Sequence, residues 1–181
     1  MYDEKTHIAF TGGEPLMKAA QKNTVKILTE INRLLGRGKR FTNITWETNG
    51  TRPLDTTLQN YLQSIEHTTE LFFSVSPKLW NTAGEKDGIQ PEIVKQYYQL
   101  SEFGQLKFVC NGTDESWNEI EESIIKFRKV GVHYPIWIMP VGATEESQQD
   151  NAKEITIQTM DRGYNVAARV HCYIFGNQIG T

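Results

Sequence analysis

The segment HIAFTGGEPLM, residues 7–17, leads from a short apolar run into two glycines, a carboxylate and a proline. The apolar residues predict a buried strand over 6–11. A helix is expected from about Pro15 to Leu35, because proline is favoured at the first helical position and Gly36 supplies a stop signal. The segment is therefore typical of one βα unit, and the rest of the chain repeats that unit.

Five further strands are expected, with helices between them. The strands are predicted in NITWET (43–48), LFFSVS (71–76), LKFVC (106–110), PIWIM (135–139) and VAARVHCYIF (166–175). The helices are predicted near 56–66, 91–103, 114–131 and 145–160, the third with Asp114 as its N-cap and Gly131 at its end. Strands that alternate with helices indicate a parallel sheet, because each return needs a crossover. The chain is predicted to be a single α/β domain over 1–181, with six βα-type units.

Composition narrows the class of protein. The chain has 181 residues, 38% of them hydrophobic and 23% charged, as in ordinary globular domains. A formal net charge of −3 gives no electrostatic reason to expect a nucleic-acid partner. No apolar run approaches the roughly 18 residues of a membrane-spanning helix, so no membrane partner is expected. Cys110 and Cys172 make neither a disulfide framework nor a metal-binding spacing, which favours a reducing cytoplasm.

Small and polar residues follow the predicted strands. The segments are Thr11–Glu14, Glu47–Thr51, Ser74–Lys78, Cys110–Gly112 and Met139–Gly142. The carboxyl ends of parallel strands lie on one edge of the sheet, which is where sites of such folds are found. Any one of these segments could be an ordinary loop. Because five of them converge on one edge, a ligand site is the favoured interpretation.

The order TGGEP, ETNGT, SVSPK and MPVG resembles the radical S-adenosylmethionine superfamily. The combination of GGEP with a later SPK is typical of its 7-carboxy-7-deazaguanine synthase branch. The resemblance covers nearly the whole chain, beginning at the second βα unit of that fold. It implies an incomplete (partial TIM-like) barrel that lacks its first strand, which would pair beside HIAFT. Members of the family are commonly dimers, so a homodimer is one expectation.

The resemblance also implies roles for individual residues. Gly12, Gly13 and Glu14 would receive the methionyl ammonium, Ser76 and Lys78 would hold the carboxylate and ribose, and Met139 to Gly142 would pack along the adenine. The cofactor-binding set is thus Gly12, Gly13, Glu14, Asn49, Ser76, Pro77, Lys78, Met139, Pro140, Val141 and Gly142. The substrate-side candidates are Thr11, Glu47, Arg169, His171 and Thr181. Arg169 and His171 alternate on the last predicted strand, and the alternative for them is a polar pair at a sheet edge.

The reaction that the resemblance implies is a radical ring contraction. A 4Fe–4S cluster cleaves S-adenosylmethionine, and the adenosyl radical takes hydrogen from the pterin substrate, 6-carboxytetrahydropterin. Loss of ammonia then gives 7-carboxy-7-deazaguanine, an intermediate of 7-deazapurine (queuosine) biosynthesis. Related enzymes also use Mg²⁺. The enzyme would be a carbon–nitrogen lyase.

The cluster ligands of the family are missing from this sequence. They are three cysteines, usually spaced CxxxCxxC, in a loop before GGEP, and the loop would also supply the Mg²⁺ ligand. Cys110 and Cys172 are interpreted instead as small buried residues within strands. Three explanations stay open: a fragment, one half of a split enzyme whose cluster loop lies on a separate chain, or a non-catalytic homologue that binds S-adenosylmethionine. A radical-activating enzyme for a glycyl-radical partner is a further alternative, against which SPK argues.

Overall fold

A computed structural model describes residues 7–35, 42–142 and 144–175. The strands of this part are β1 (His7–Phe10), β2 (Asn43–Thr48), β3 (Glu70–Val75), β4 (Gly104–Cys110), β5 (Ile136–Pro140) and β6 (Asn165–Val166). Its helices are α1 (Lys18–Leu35), α2 (Thr56–Ile65), α3 (Trp80–Ala83), α4 (Pro91–Leu100), α5 (Asp114–Lys129), α6 (Glu145–Asp161) and α7 (Val170–Phe175).

The strands form one parallel sheet in the order β1-β2-β3-β4-β5-β6. The predicted α/β class and parallel sheet are confirmed. Each strand pairs with the strand that follows it in the sequence. When successive parallel strands are joined by right-handed crossovers, the connecting helices all lie on the same face of the sheet. β1 and β6 are not paired with each other, so the sheet is open, consistent with an incomplete barrel.

The covered face of the sheet carries an aromatic stack that joins three strands to a helix. Phe10, Trp46 and Phe73 are register partners on β1, β2 and β3. Their rings stack in series and continue to Tyr97 on α4, with centroid separations of 5.6, 5.3 and 5.0 Å. Trp46, Phe73 and Tyr97 are fully buried. Side chains of α1, α2, α5 and α6 pack into the same core, so these helices cover this face.

The opposite face is polar, which is unusual for a parallel sheet, since such sheets are normally apolar on both sides. We define the polar face by the strand residues His7, Asn43, Thr45, Glu47, Glu70, Ser74, Gln105 and Lys107. Hydrogen bonds cross between strands, joining His7 to Thr45 at 2.7 Å and Gln105 to Ser74 at 2.8 Å. Phe72 and Trp137 share this face and are half-buried. The face of the sheet that lies away from these helices thus presents polar groups.

One predicted helix start and one predicted N-cap are wrong. α1 begins at Lys18, because Pro15 and Leu16 lie in a turn in which the Leu16 amide donates to the Glu14 carboxylate at 2.9 Å. The N-cap of α5 is Thr113, whose hydroxyl accepts the Ser116 amide at 3.3 Å, and not Asp114. Asp114 is the first residue of the helix, where its negative charge interacts favourably with the helix dipole.

The predicted strand over 166–175 is also wrong. Only Asn165 and Val166 pair with β5, and residues 170–175 form α7. A short apolar run does not distinguish a strand from a buried helix, so the pattern was ambiguous. Arg169 therefore precedes a helix and does not alternate with His171 along a strand. Cys172 is buried in α7 and not in a strand.

None of the helices in the described ranges is both long enough and apolar enough to cross a membrane.

The predicted loop after β3 contains the additional short helix α3. The helix expected over 91–103 ends at Leu100.

Candidate functional site

A cavity of about 500 Å³ opens at the carboxyl edge of the sheet. The predicted site residues that line it are Thr11, Gly12, Gly13, Glu47, Asn49, Ser76, Lys78, Met139 and Arg169. Its lining also includes Thr48 and Ser74, which belong to the predicted strand-end segments but were given no role, and Lys107 and Ala168, which were not predicted. The structure therefore brings together the ends of β1, β2, β3 and β5 and the segment after β6, as expected of a parallel sheet.

The glycines of TGGEP form an open turn at the cavity wall. Gly12 and Gly13 both have left-handed backbones, with φ of 85° and 56°. A Cβ atom built on either would meet no atom within 4 Å. The two positions need glycine for their backbone conformation. The space beside them is free for a ligand, which could approach the backbone closely.

Glu14 is held by the protein itself and is not among the residues that line the cavity. Its Oε1 accepts hydrogen bonds from the Leu16 amide at 2.9 Å and the Thr48 hydroxyl at 2.7 Å. Its Oε2 accepts the Asn49 amide at 2.8 Å. The carboxylate therefore ties the glycine turn to the end of β2.

The two substrate-side candidates on β1 and β2 are neighbours. The Thr11 hydroxyl donates to Glu47 at 3.1 Å, across adjacent strand ends. Glu47 is exposed on the polar face, because it alternates with the buried Trp46 and Thr48. Its second oxygen is available to accept a donor from a ligand in the cavity.

Packing fixes the SVSPK segment at the wall of the cavity. Pro77 is buried and does not line the cavity, whereas Lys78 is exposed. A Cβ on Gly88 would lie 1.9 Å from the Lys78 carbonyl oxygen, so only glycine permits the following loop to pack so closely. The Glu119 carboxylate on α5 accepts the Trp80 amide at 2.6 Å, which holds the start of α3. Trp80 is 54% exposed and does not line the cavity.

Arg169 lies beside Met139 at one side of the cavity. Its Nη1 donates to the Gly142 carbonyl at 3.1 Å, and its Nε contacts the Met139 sulfur at 3.4 Å. Pro140, Val141 and Gly142 do not line the cavity, and the Val141 amide continues the pairing with the Cys110 carbonyl at 2.8 Å. The side chain of His171 and all of Thr181 lie outside the described parts of the structure.

Alternation along β4 could have predicted one of the residues that sequence reasoning missed. In LKFVC, Lys107 stands between the buried Leu106 and Phe108, which places it on the polar face. Ser74 has the same relation to Phe73 and Val75, but an apolar run hides the period. Thr48 was signalled by its place in the strand-end segment Glu47–Thr51, whereas Ala168 carries no comparable signal.

The cavity is positively charged. Lys78, Lys107 and Arg169 line it, with Glu47 as the carboxylate among the lining residues. Such a site favours a ligand that carries negative charge.

Part of this lining could hold the polar groups of a small cofactor. The free space at the glycine turn, the Ser76 hydroxyl and the Lys78 ammonium suit its polar groups. In the described ranges no group of three or more His, Cys, Asp or Glu side chains could hold a metal ion. Cys110 is buried in β4, where burial raises the pKa of its thiol, and the sequence has two cysteines in all. These residues do not fit a 4Fe–4S cluster.

Comparisons with protein-family models, curated proteins and solved structures gave no match for this chain.

Proposed function

We propose that this chain forms the S-adenosylmethionine and substrate pocket of a radical enzyme of the 7-carboxy-7-deazaguanine synthase type. One observation carries the proposal. The segments TGGEP, ETNGT, SVSPK and MPVG, which bear the resemblance, each contribute residues to the same cavity. They are separated by tens of residues in the sequence, and no feature of composition requires them to meet.

The proposed binding roles follow from the chemistry of the lining. The backbone at Gly12 and Gly13 is open to the ammonium of the cofactor, and the Lys78 ammonium suits its carboxylate. The Met139 side chain would lie along the adenine, since a thioether packs well against aromatic rings. Thr11 and Glu47 would face the pterin. The cofactor, if bound and reduced by one electron from a cluster held elsewhere, would supply the adenosyl radical chemistry. The residues of this chain would orient cofactor and substrate and limit access of water.

The cluster and Mg²⁺ would need ligands from outside this sequence. A second candidate is a non-catalytic homologue that binds S-adenosylmethionine, since the two cysteines of this sequence cannot by themselves supply three cluster ligands. Both candidates require the same cofactor pocket. They differ in whether a further segment or chain supplies the cluster.

Titration calorimetry of the chain with S-adenosylmethionine tests the pocket. We expect Lys78→Ala to weaken binding about tenfold or more, because a charge-assisted hydrogen bond is lost. Lys126→Ala, at an exposed position of α5, should bind as the unchanged chain does. Absence of binding to the unchanged chain would rule out both candidates.

Anaerobic reconstitution with iron and sulfide tests whether this chain alone can ligate a 4Fe–4S cluster. We expect no stoichiometric cluster on this chain alone, as read by iron content and visible absorption. Formation of a 4Fe–4S cluster would contradict the ligand argument. Turnover of 6-carboxytetrahydropterin after addition of a segment or chain with three cysteines would favour the enzyme over the non-catalytic homologue.

A further inference from the structure

A groove of about 340 Å³ lies between the starts of α1 and α2, apart from the cavity described above. Its apolar lining residues are Leu16, Met17, Pro53 and Leu54. Leu16 and Leu54 are buried, whereas Met17 is 52% exposed. None of the residues that line this groove lines the cavity at the strand ends. The groove is therefore a separate surface feature with an apolar floor.

Gln21 joins the two walls of the groove. Its buried side-chain amide donates to the Leu16 carbonyl at 2.6 Å and to the Pro53 carbonyl at 2.9 Å. Its side-chain oxygen accepts the Asp55 amide at 2.7 Å. The walls come from segments that are more than thirty positions apart in the sequence. Because the chain's own hydrogen bonds hold them together, a partner would not have to order the groove on binding.

A row of lysines runs along α1 from the rim of this groove. Lys18, Lys22 and Lys26 are four residues apart, so they lie on one side of the helix and span about 12 Å. All three are exposed. Arg52, also exposed, adds a cation on the other wall. We call the groove together with Lys18, Lys22, Lys26 and Arg52 the basic groove.

The chain does not neutralise this row of lysines within the described ranges, where none of the ion pairs includes one of them. Asp55, the carboxylate among the lining residues, accepts the Leu58 amide at 2.8 Å as the N-cap of α2. Glu30, one turn after Lys26, pairs with Arg33. Helix α2, which packs beside α1, carries no charged side chain. The basic groove is thus locally positive in a chain whose formal net charge is −3.

The lysine row also destabilises the helix that carries it. The first turn of α1 contains no acidic residue, and Lys18 places a positive charge at the positive end of the helix dipole. Lysines that are four residues apart repel each other. A local charge pattern that opposes folding is typical of residues that serve binding.

We propose that the basic groove docks an amphipathic helix of a partner protein, with a row of carboxylates along the lysines and one apolar side chain in the groove. Charges four residues apart have the same spacing of about 6 Å on both helices, so the two rows match. An apolar side chain that enters a groove is the usual anchor of such helices. A nucleic-acid backbone or an anionic membrane surface would meet the lysines without supplying that anchor. The inference is independent of the proposed function, because the two sites share no lining residue.

The test begins with a displayed library of short random helical peptides, selected for binding to the 181-residue chain. We expect the selected peptides to carry Asp or Glu at a spacing of four residues, with a Leu, Ile or Phe beside them. Binding of the best peptide is then measured by fluorescence anisotropy. Its affinity should fall as the salt concentration rises, because exposed charges are screened.

Charge reversal distinguishes a role in binding from a role in the fold. We expect Lys18→Glu to weaken the peptide about five- to tenfold. The same variant should raise the melting temperature, since a negative charge suits the start of α1 and attracts Lys22. Lys126→Glu, at an exposed position of α5, makes the same change in net charge and should leave the affinity unchanged. Met17→Ser should weaken the peptide about tenfold, whereas Met160→Ser, at an exposed position of α6, should not.

Several results would overturn the inference. The selected peptides could lack carboxylates, or bind Lys18→Glu as tightly as the unchanged chain. A lower melting temperature of Lys18→Glu would show that Lys18 serves the fold. Duplex DNA and vesicles that contain phosphatidylserine are measured with the same variants. If either bound more tightly than the peptide, and depended on Lys18 but not on Met17, the basic groove would be a phosphate-binding surface and not a docking site for a helix.

Discussion

Glu14 illustrates how one side chain of a ligand-binding motif can serve the fold. The resemblance assigns it to the cofactor ammonium, yet its two oxygens already accept three hydrogen bonds from Leu16, Thr48 and Asn49. Two of these donors are backbone amides that follow strand ends. Glu14 thereby holds the glycine turn against the end of β2, and it orders the cavity wall whether or not a ligand also reaches it.

Glu14→Gln should lower the free energy of unfolding by about 1–3 kcal/mol. The amide keeps the size of the side chain but places an N–H₂ donor against a group that also donates. Urea denaturation followed by circular dichroism gives the difference. Glu30→Gln is the matched control, since the Glu30–Arg33 pair on α1 is exposed and should contribute nothing measurable. Equal effects of the two substitutions would contradict the role of Glu14.

At the scale of the element, two neighbouring residues at the start of α5, Thr113 and Asp114, are expected to contribute differently to stability. Thr113→Ala should lower the free energy of unfolding by about 1 kcal/mol, because the Ser116 amide loses its acceptor. Asp114→Ala should have a smaller effect, since Asp114 contributes through the helix dipole alone. Parallel urea titrations of the two variants make the comparison. A larger loss of stability in Asp114→Ala than in Thr113→Ala would contradict the assignment of Thr113 as the N-cap and favour Asp114.

The elements also show what a single sequence can and cannot predict. Helix α5 was predictable because Trp117, Ile120, Ile124 and Phe127 recur at helical spacing and are buried. The segment 166–175 was not, because β-strand and helix both accept a short apolar run, and packing beside α6 decides between them. The start of α1 likewise depends on a distant partner. Glu14 bonds to residues more than thirty positions away, which no local pattern records.

At the scale of the whole molecule, the topology explains where the site lies. A sheet wound in one direction collects its helices on one face and leaves the other polar. The carboxyl edge could therefore be predicted as the site from the alternation of strands and helices. Alternation along LKFVC could have placed Lys107 on the polar face, whereas its neighbours across the sheet required the register of the strands. Register follows from long-range pairing, so the sequence pattern alone did not resolve it.

The same architecture buries two tyrosines whose hydroxyls brace the covered side. Tyr97 donates to the Arg52 carbonyl after β2, and Tyr134 donates to the Ser101 carbonyl at 2.8 Å, after α4. Burial is the main cause that raises the pKa of both phenols above the ordinary value. A raised pKa in the folded state means that the unfolded chain releases the proton first. The contribution of each phenol to stability is therefore present below pH of about 10 and is lost as the pH rises further.

We therefore expect the free energy of unfolding to fall steeply in alkaline solution. Each buried phenol that ionises only on unfolding should remove about 1.4 kcal/mol per pH unit above pH of about 10. Urea titrations across this range give the slope, and tyrosinate absorbance of the folded chain shows whether the phenols stay protonated. Tyr134→Phe and Tyr97→Phe should each reduce the slope by the contribution of one phenol, and the double variant should reduce it by the contribution of two. An unchanged slope in Tyr134→Phe would mean that its phenol ionises within the fold, and that the helix layer admits water at the very position where it braces the sheet.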